Sequence, residues 1–362
     1  MQNLVLIDDD EDQVTNLSRS LKETLATDEC EIRTWIPSSD DAKAKDIFDE
    51  KIDSETVLVV TDYDLTQKGQ TGLFGSTIVS WCQTLLVPVG NFSRGNRDTL
   101  PREPNQYEIR IPPTTDQAAP YIAAIYHGFC SISSALRQHS EVLRKKSPVG
   151  VLAQILGKPT EESRLALYGS GLGNSGAALI GKMVDNGARP EPSDDNKIRL
   201  LTYVLGHLLL NVVLRFPGPI LGRCGLAAYL AIAPGELDKV EALFEEAKYS
   251  GPFKEVEPYF WLSLVDESLD QMGGSNPSES NAETQGELNR EIVELKLGQK
   301  LARHDCSRCD GKNGGFLCAF TKRTVCDRPD CSVGSSGWIP PGARLCRIEK
   351  EFYDEWAPIL GF

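Results

Sequence analysis

Two short apolar runs that end in carboxylates constrain the fold of this chain more than any other feature. Residues 4–7 are all Leu, Val or Ile and lead into Asp8 and Asp9. The apolar residues 57–60 and Thr61 lead into Asp62. A parallel strand that is buried on both faces has this composition. Because functional groups of open α/β sheets collect beyond the carboxyl ends of the strands, we expect the three carboxylates to meet at one edge. Such an acidic pocket suits Mg²⁺, which proteins hold with one or two carboxylates.

The segments around these two runs alternate between helical and strand-like patterns. Apolar residues three or four positions apart predict helices, and short β-branched runs predict strands. After the first strand, the sequence predicts a helix over 12–25, a strand over 31–36, a helix over 41–51, the strand that ends at Asp62, a helix over 72–82 and strands over 85–89 and 107–111. This alternation predicts an α/β fold with a doubly wound, five-stranded parallel sheet.

The part of the chain that carries these residues resembles a response-regulator receiver domain. In that family, acidic residues after the first strand bind Mg²⁺ and an Asp after the third strand accepts a phosphoryl group. The resemblance implies that Asp8 and Asp9 hold Mg²⁺ together with Asp62, which is the phosphoacceptor, and that Ser93 is the switch hydroxyl after the fourth strand. The family's Lys before a Pro after the fifth strand is missing. Arg110 keeps a positive charge one residue out of register, and we expect it to be the candidate substitute for that Lys.

The resemblance also implies partners for this region. A histidine kinase or another phosphodonor would supply the phosphoryl group, and a homodimer is expected because receiver domains often dimerise. A structural alternative stays open, in which the carboxylates only cap helices and solvate loops, because Asp is a common turn residue.

Composition limits the other functions of the chain. Its 362 residues, of which 40% are hydrophobic, are enough for two or three domains. The formal net charge of -14 argues against nonspecific binding of nucleic acid by the whole molecule. The first residues lack the basic stretch of a signal peptide, which predicts a cytoplasmic location with mostly reduced cysteines.

The middle of the chain has a helical pattern. Residues 198–216 are strongly apolar, but His207 and Asn211 interrupt them, which favours a buried core helix over a membrane span. Residues 220–247 have the outline of a helix-turn-helix. The second helix of that outline is mostly acidic, whereas a DNA-reading helix presents Arg, Lys, Asn or Gln. A helical module that contacts a protein partner is therefore favoured over one that reads DNA.

Six of the ten cysteines lie close together near the end of the chain. Cys306 and Cys309 form a Cys-x-x-Cys knuckle, which brings two thiolates to one tetrahedral ion, and Cys326 and Cys331 form a looser pair. Few apolar residues remain here to form a core, so the segment needs a stabilising cross-link. In a reducing compartment a bound Zn²⁺ is the best candidate for that cross-link. An iron–sulfur cluster, disulfides or free thiols are the alternatives. The number of possible ligands does not decide how many metal sites the segment has or which residues form them. The candidate ligands are Cys306, Cys309, Cys318, Cys326, Cys331, Cys346 and His304.

Charge reverses in this Cys-rich segment. Between residues 300 and 350, ten Lys or Arg face five acidic residues. These basic residues, together with Phe316, Phe320 and Trp338, could bind nucleic acid or an acidic protein surface. The alternative is a structural knuckle that docks on the acidic receiver of the same chain.

These patterns divide the chain into a receiver-like domain over 1–118, a helical output or interaction domain over 119–272, a linker over 273–286 and a Cys-rich zinc module over 287–362. The predicted function is signalling, in which the receiver controls the helical and Cys-rich output by protein contact. The alternative is a metal-dependent effector enzyme or a nucleic-acid-binding regulator that uses the basic module. Hydrolytic zinc sites usually need His as a ligand or a nearby base, and this chain has only four His. This favours a regulatory protein over an enzyme.

Overall fold

Two compact units make up the part of the chain that the structure describes. The computed structural model describes residues 2–25, 30–38, 43–66, 72–92, 107, 109–139, 147–169, 194–273, 282, 284–309, 314–334 and 337–360. The first unit combines Met1–Ile155 with Asn174–His207, and the second combines Leu156–Gly173 with Leu208–Phe362. The domain boundaries at residues 118, 272 and 286 remain predictions.

A five-stranded sheet with the order β2-β1-β3-β4-β5 forms the centre of the first unit. All of its strand pairs are parallel. This is the strand order of flavodoxin-like doubly wound folds, so the predicted fold class is confirmed. The elements of this unit are β1 Asn3–Ile7, α1 Glu11–Thr24, β2 Glu31–Trp35, α2 Ala44–Lys51, β3 Thr56–Thr61, α3 Gly75–Leu85, β4 Val89–Asn91, β5 Ile109–Arg110, α4 Thr115–Gln138, α5 Pro148–Ile155 and, further along the chain, α7 Asp194–Leu208.

Helices cover both faces of this sheet, which explains the continuous apolar run of β1. All five residues of β1 are buried. On one face, Val5 and Val59 pack in a cluster with Phe48 of α2 and Ile78 of α3. α1 packs against α4 and also contacts β1. A strand that is covered on both faces shows no polar alternation, as the sequence of β1 indicates.

The fourth strand lies further along the chain than predicted. The apolar run over 85–89 was expected to be the strand, but α3 extends to Leu85 and β4 covers Val89–Asn91. Leu86 ends the helix in the left-handed region, with φ 55°, and its N–H donates to the carbonyls of Cys82 and Gln83. Periodicity alone does not divide a short apolar run between the end of a helix and the start of a strand.

The second unit consists of short helices and two-stranded antiparallel sheets. β6 pairs with β7, β8 with β9 and β10 with β11. Its largest core cluster contains Leu221, Phe244 and Phe260, all fully buried. The elements are α6 Glu162–Ala166, β6 Ile220–Gly222, α8 Arg223–Tyr229, α9 Leu237–Val240, β7 Tyr259–Trp261, α10 Leu262–Gly273, α11 Gln285–Leu297, β8 Phe316–Leu317, β9 Thr324–Val325, β10 Ser332–Val333, β11 Ile348–Glu349 and α12 Lys350–Leu360.

The apolar segment over 198–216 is mostly helical. α7 is followed directly by a π-helix over Leu209–Val213, and the residues of that π-helix are buried except Asn211. Within the described ranges, no helix is long and apolar enough to cross a membrane.

The predicted helix-turn-helix over 220–247 is only partly present. Residues 220–222 form β6 instead of helix, because they pair with β7, and α8 begins at Arg223. The second helix consists of the single turn α9 followed by a 3-10 helix over Glu241–Ala247. Within that 3-10 helix Phe244 leaves helical geometry, with φ -115° and ψ 23°, while its ring is fully buried. Core packing of this ring is a tertiary constraint that the helical periodicity does not contain.

The Cys-rich segment has a small aromatic core, contrary to the expectation that few apolar residues were left to form one. Trp338, Ile348 and Phe352 are buried together. Phe320 stacks on Phe352, with ring centroids 5.0 Å apart and planes 13° from parallel. These residues come from separate loops, a strand and α12, so no single sequence window shows them as a cluster.

Candidate functional site

Asp8, Asp9 and Asp62 lie together at the carboxyl edge of the parallel sheet. One carboxylate oxygen from each residue lies within 4.8 Å of the others. The Asp62 N–H donates to the carbonyl of Ile7 at 2.9 Å, which joins the ends of the neighbouring strands β1 and β3. The sheet therefore brings together the three carboxylates that the sequence analysis singled out.

Burial and repulsion between neighbouring carboxylates act together in this acidic pocket. Asp8 and Asp9 are 6% and 7% exposed. Burial is the largest cause that raises the pKa of Asp8 to about 7 and that of Asp62 to about 6, and the negative charge of Asp9 contributes to both values. Backbone N–H groups offset part of these shifts, with the N–H of Asp10 donating to Asp8 Oδ1 at 2.8 Å. Carboxylates held this close are stabilised by a divalent cation, which favours their charged forms.

Asp10, which follows Asp8 and Asp9 in the sequence, has a structural role. Its side-chain oxygen accepts a hydrogen bond from the N–H of Asp12 at 3.1 Å and caps the start of α1. An Asp in this position satisfies one of the free N–H groups of the first helical turn. Asp10 does not belong to the group of three carboxylates.

A close backbone approach fixes the loop that follows β3. A Cβ atom on Gly75 would lie 2.3 Å from the carbonyl oxygen of Asp62 and 2.9 Å from the Cα of Tyr63. The Gly75 N–H donates to the carbonyl of Tyr63 at 2.9 Å. In the same loop, Asp64 Oδ1 accepts from the N–H of Thr66 at 3.0 Å. The sequence analysis did not single out Gly75, because the approach of α3 to β3 is a tertiary contact.

A small cavity of about 10 Å³ lies against the carboxylates. Asp8, Asp62 and Gln13 line it together with apolar residues of β1, β3 and α1. This volume holds about one water molecule or one small ion. Gln13, in the first turn of α1, is a polar residue at this edge that was not identified from the sequence.

The structure does not test the roles of the other two predicted receiver residues. Ser93 lies outside the described residues. Arg110 is in β5, opposite Asn91 of β4, and its side chain is exposed. Its role as a substitute for the missing Lys remains a prediction.

The second candidate site consists of Cys306, Cys309, Cys326 and Cys331. Their sulfur atoms all lie within 4.8 Å of one another. The Cys309 and Cys326 sulfurs are 3.8 Å apart. Four thiolates around a tetrahedral Zn²⁺ with Zn–S bonds of about 2.3 Å have sulfurs about 3.8 Å apart. The arrangement thus fits one four-cysteine metal site built from the two pairs.

Hydrogen-bond donors surround these sulfurs. The N–H of Arg308 donates to Cys306 Sγ at 3.4 Å, and Nη1 of Arg328 donates to Cys309 Sγ at 3.7 Å. Burial raises the pKa of Cys306, but backbone N–H groups outweigh it and lower that pKa to about 7. N–H donors that favour a thiolate also favour its binding to a metal.

Three further predicted ligands lie outside the four-cysteine group. Cys318 and Cys346 are buried but are not members of it. His304 is 2% exposed, and its Nδ1 accepts the N–H of Gly315 at 2.7 Å. Burial lowers the pKa of His304 to about 4. Of the seven candidate ligands that the sequence left open, four lie close together in the structure, and their binding of a metal remains a prediction.

Comparisons with known proteins do not assign a family. No protein-family model matches this chain, and no curated protein matches it. One solved structure that it matches is RcsB from Salmonella enterica serovar Typhimurium bound to promoter rprA in the presence of phosphomimetic BeF3-. The match has 14% sequence identity and a TM-score of 0.25, and it covers 56% of this chain and 99% of that chain. A TM-score this low carries no argument about fold or function, so the functional argument rests on the residues themselves.

Proposed function

We propose that this chain is a signalling protein that works like a response regulator, with Asp62 as its phosphoacceptor. The observation that carries the proposal is the meeting of Asp8, Asp9 and Asp62 at the carboxyl edge of a sheet with the order β2-β1-β3-β4-β5. In folds of this topology, sites form at that edge. The receiver-like unit would control the rest of the chain and a protein partner through contacts that change with phosphorylation.

The proposed chemistry is a single phosphoryl transfer. A carboxylate oxygen of Asp62 attacks the phosphorus of the donor and forms an acyl phosphate. The bond from phosphorus to the leaving group breaks in the same step, and it is a phosphorus–oxygen bond in acetyl phosphate and a phosphorus–nitrogen bond in a phosphohistidine. Mg²⁺ bound by Asp8 and Asp9 would neutralise the phosphoryl oxygens. Ser93 and Arg110 would respond to the new charge, the first as a hydroxyl donor and the second as a cation. The product adds negative charge at the end of β3.

The four-cysteine group supports a structural metal in this proposal. Structural Zn²⁺ sites have four protein ligands, whereas catalytic ones keep an open position for water or substrate. Cys306, Cys309, Cys326 and Cys331 would complete the coordination shell, with Zn²⁺ as the ion that fits the sulfur spacing. This favours a regulatory role over that of a zinc-dependent enzyme.

Ion pairs favour a protein partner over nucleic acid for the basic module. Glu349 is 1% exposed, and its Oε1 lies 3.0 Å from Arg323 and 3.7 Å from Arg308. Arg303 pairs with Glu287 at 2.6 Å. Cations that are already paired contribute less to phosphate binding, which depends on releasing counterions from the nucleic acid.

Intact mass spectrometry after incubation with acetyl phosphate and Mg²⁺ tests the proposal. We expect the wild-type chain to gain one phosphoryl group and Asp62→Asn to gain none. The matched control is Asp64→Asn, two residues further along the same loop, which keeps an oxygen for the hydrogen bond from Thr66 and should still be modified. A wild type that is not modified, or an equal gain in Asp62→Asn, would overturn the assignment of Asp62.

A further inference from the structure

A second cavity lies at the other edge of the parallel sheet, where the strands begin. It has a volume of about 440 Å³ and lies entirely within the first unit. Residues that precede β1 and β3 line it on one side, and α4 and α7 line it on the other. Small-molecule sites in proteins are commonly clefts of about 300–1,000 Å³ with a few placed polar groups.

Arg199 of α7 is half-buried and lines this cavity. Burial lowers its pKa, and the negative charge of Asp53 raises it by a smaller amount. Among the described residues Arg199 forms no ion pair and no hydrogen bond, and Asp53 pairs with Arg33 instead. The nearby cation Arg137 is paired with Asp195 at 2.7 Å. Glu55 also lines the cavity but forms no ion pair with Arg199 within the described part of the chain.

An unpaired guanidinium in a half-buried position costs stability, because it loses water without gaining a partner. One turn further along the same face of α7, the buried Oγ1 of Thr202 also lacks a hydrogen-bond partner among the described residues. Ser133 of α4 lines the same cavity. A guanidinium with hydroxyl groups nearby matches the oxygens of a carboxylate or phosphate group.

We propose that this cavity binds a small organic anion that carries a carboxylate or phosphate group, with Arg199 as its counter-ion. The ligand would supply a negative charge in direct contact with Arg199, while its organic part fills the remaining volume beside Tyr203 and Phe129. The site is distinct from the acidic pocket, which lies at the carboxyl edge of the same sheet. It does not depend on phosphorylation of Asp62.

NMR of the full chain with ¹⁵N-labelled arginine side chains tests the proposal, with inorganic phosphate as the probe. The Nε signal of Arg199 is assigned by its absence in Arg199→Lys. We expect that signal to shift on addition of phosphate and to saturate at millimolar concentration, while sodium chloride of equal ionic strength leaves it in place. The exposed Arg19 serves as the internal control. A shift that does not saturate, or one that Arg19 shares, would overturn the site.

The stability of the phosphate-free protein gives a second test. If Arg199 is kept for a ligand, then Arg199→Met should raise the melting temperature by about 2 °C, because it removes an uncompensated cation. Arg19→Met, the control, should leave it nearly unchanged. A decrease in Arg199→Met, or its failure to fold, would show that Arg199 supports the structure and would contradict the proposal.

Discussion

The backbone of Gly75 passes the carbonyl oxygen of Asp62 so closely that an added Cβ would lie 2.3 Å from it. The start of α3 and the residue after β3 are therefore held against each other. The glycine at this position lets the loop that carries Asp62 keep its geometry.

Gly75→Ala should therefore destabilise the first unit. We expect a loss of about 1–3 kcal/mol, as for other small-to-large changes at tightly packed positions, together with slower phosphorylation of Asp62. Denaturant unfolding and the rate of acetyl phosphate modification measure the two effects. Gly235→Ala is the matched control, because a Cβ there would meet nothing within 4 Å. Equal stability of the two variants would contradict the proposed role of Gly75.

Mg²⁺ should stabilise the chain through Asp9 and not through Asp10. In the absence of metal, Asp9→Asn should raise the melting temperature, because it removes one of three clustered negative charges. Adding Mg²⁺ should raise the melting temperature of the wild type but not that of Asp9→Asn. Asp10→Asn should keep the Mg²⁺ response, because Asn caps a helix as well as Asp does. A Mg²⁺ response that survives in Asp9→Asn would remove that residue from the site.

The four-cysteine group should hold one zinc ion per chain. Metal analysis of the purified protein should find this ratio, and Cys309→Ser should reduce it, because three thiolates with one hydroxyl bind zinc more weakly. Chelator treatment should alter the fluorescence of Trp338 and Trp356, which pack in the small aromatic core. Cys224→Ser, outside the group, should keep the metal. If Cys309→Ser retained zinc fully, the ligand set would be wrong.

The ion pair between Arg33 and Asp53 should make a contribution to stability that disappears in acid. Burial raises the pKa of Asp53, but hydrogen bonds from Arg33 and Asn3 outweigh it and lower the pKa from 3.8 to about 2. Because the pKa is lower in the folded state, the contribution is present above pH 3.8 and is lost as pH falls towards 2. Asp53 is 42% exposed, so solvent screens the pair, and its contribution should stay below about 1 kcal/mol.

Arg33→Met tests this pH dependence. Its unfolding free energy should be lower than that of the wild type at pH 7 and should converge with it towards pH 2. Arg19→Met, on the exposed face of α1, should show no such convergence. A difference that stays constant over this range would show that packing of the Arg33 side chain, and not its charge, is responsible.

Local sequence was enough to predict the sheet, the cluster of three carboxylates and the pairing of Cys306 with Cys309. The run that contains Val5 is apolar because both faces of β1 are covered, and parallel strands bring their carboxyl ends to one edge. Cys306 and Cys309 share one loop, so their spacing alone predicts a common ion. In both cases, the information lies within a few consecutive residues.

The features that sequence did not predict depend on contacts between distant segments. Gly75 is constrained by the carbonyl of Asp62, and Cys318 lies near Cys346, outside the four-cysteine group. Arg199 has no ion pair within the described part of the chain, which no spacing in the sequence shows. Phe244 interrupts a helical pattern because its ring belongs to the core.

The first unit is built from two separated stretches of chain, and this has a consequence for truncation. Tyr107 stacks on Tyr203 with ring centroids 5.4 Å apart, and Phe129 meets His207 edge-on at 5.5 Å. A fragment that ended at Ile155 would keep the whole parallel sheet and lose α7. The aromatic faces of Tyr107 and Phe129 would then be exposed to water, and we expect this hydrophobic surface to promote self-association. A soluble minimal fragment must therefore extend at least to His207.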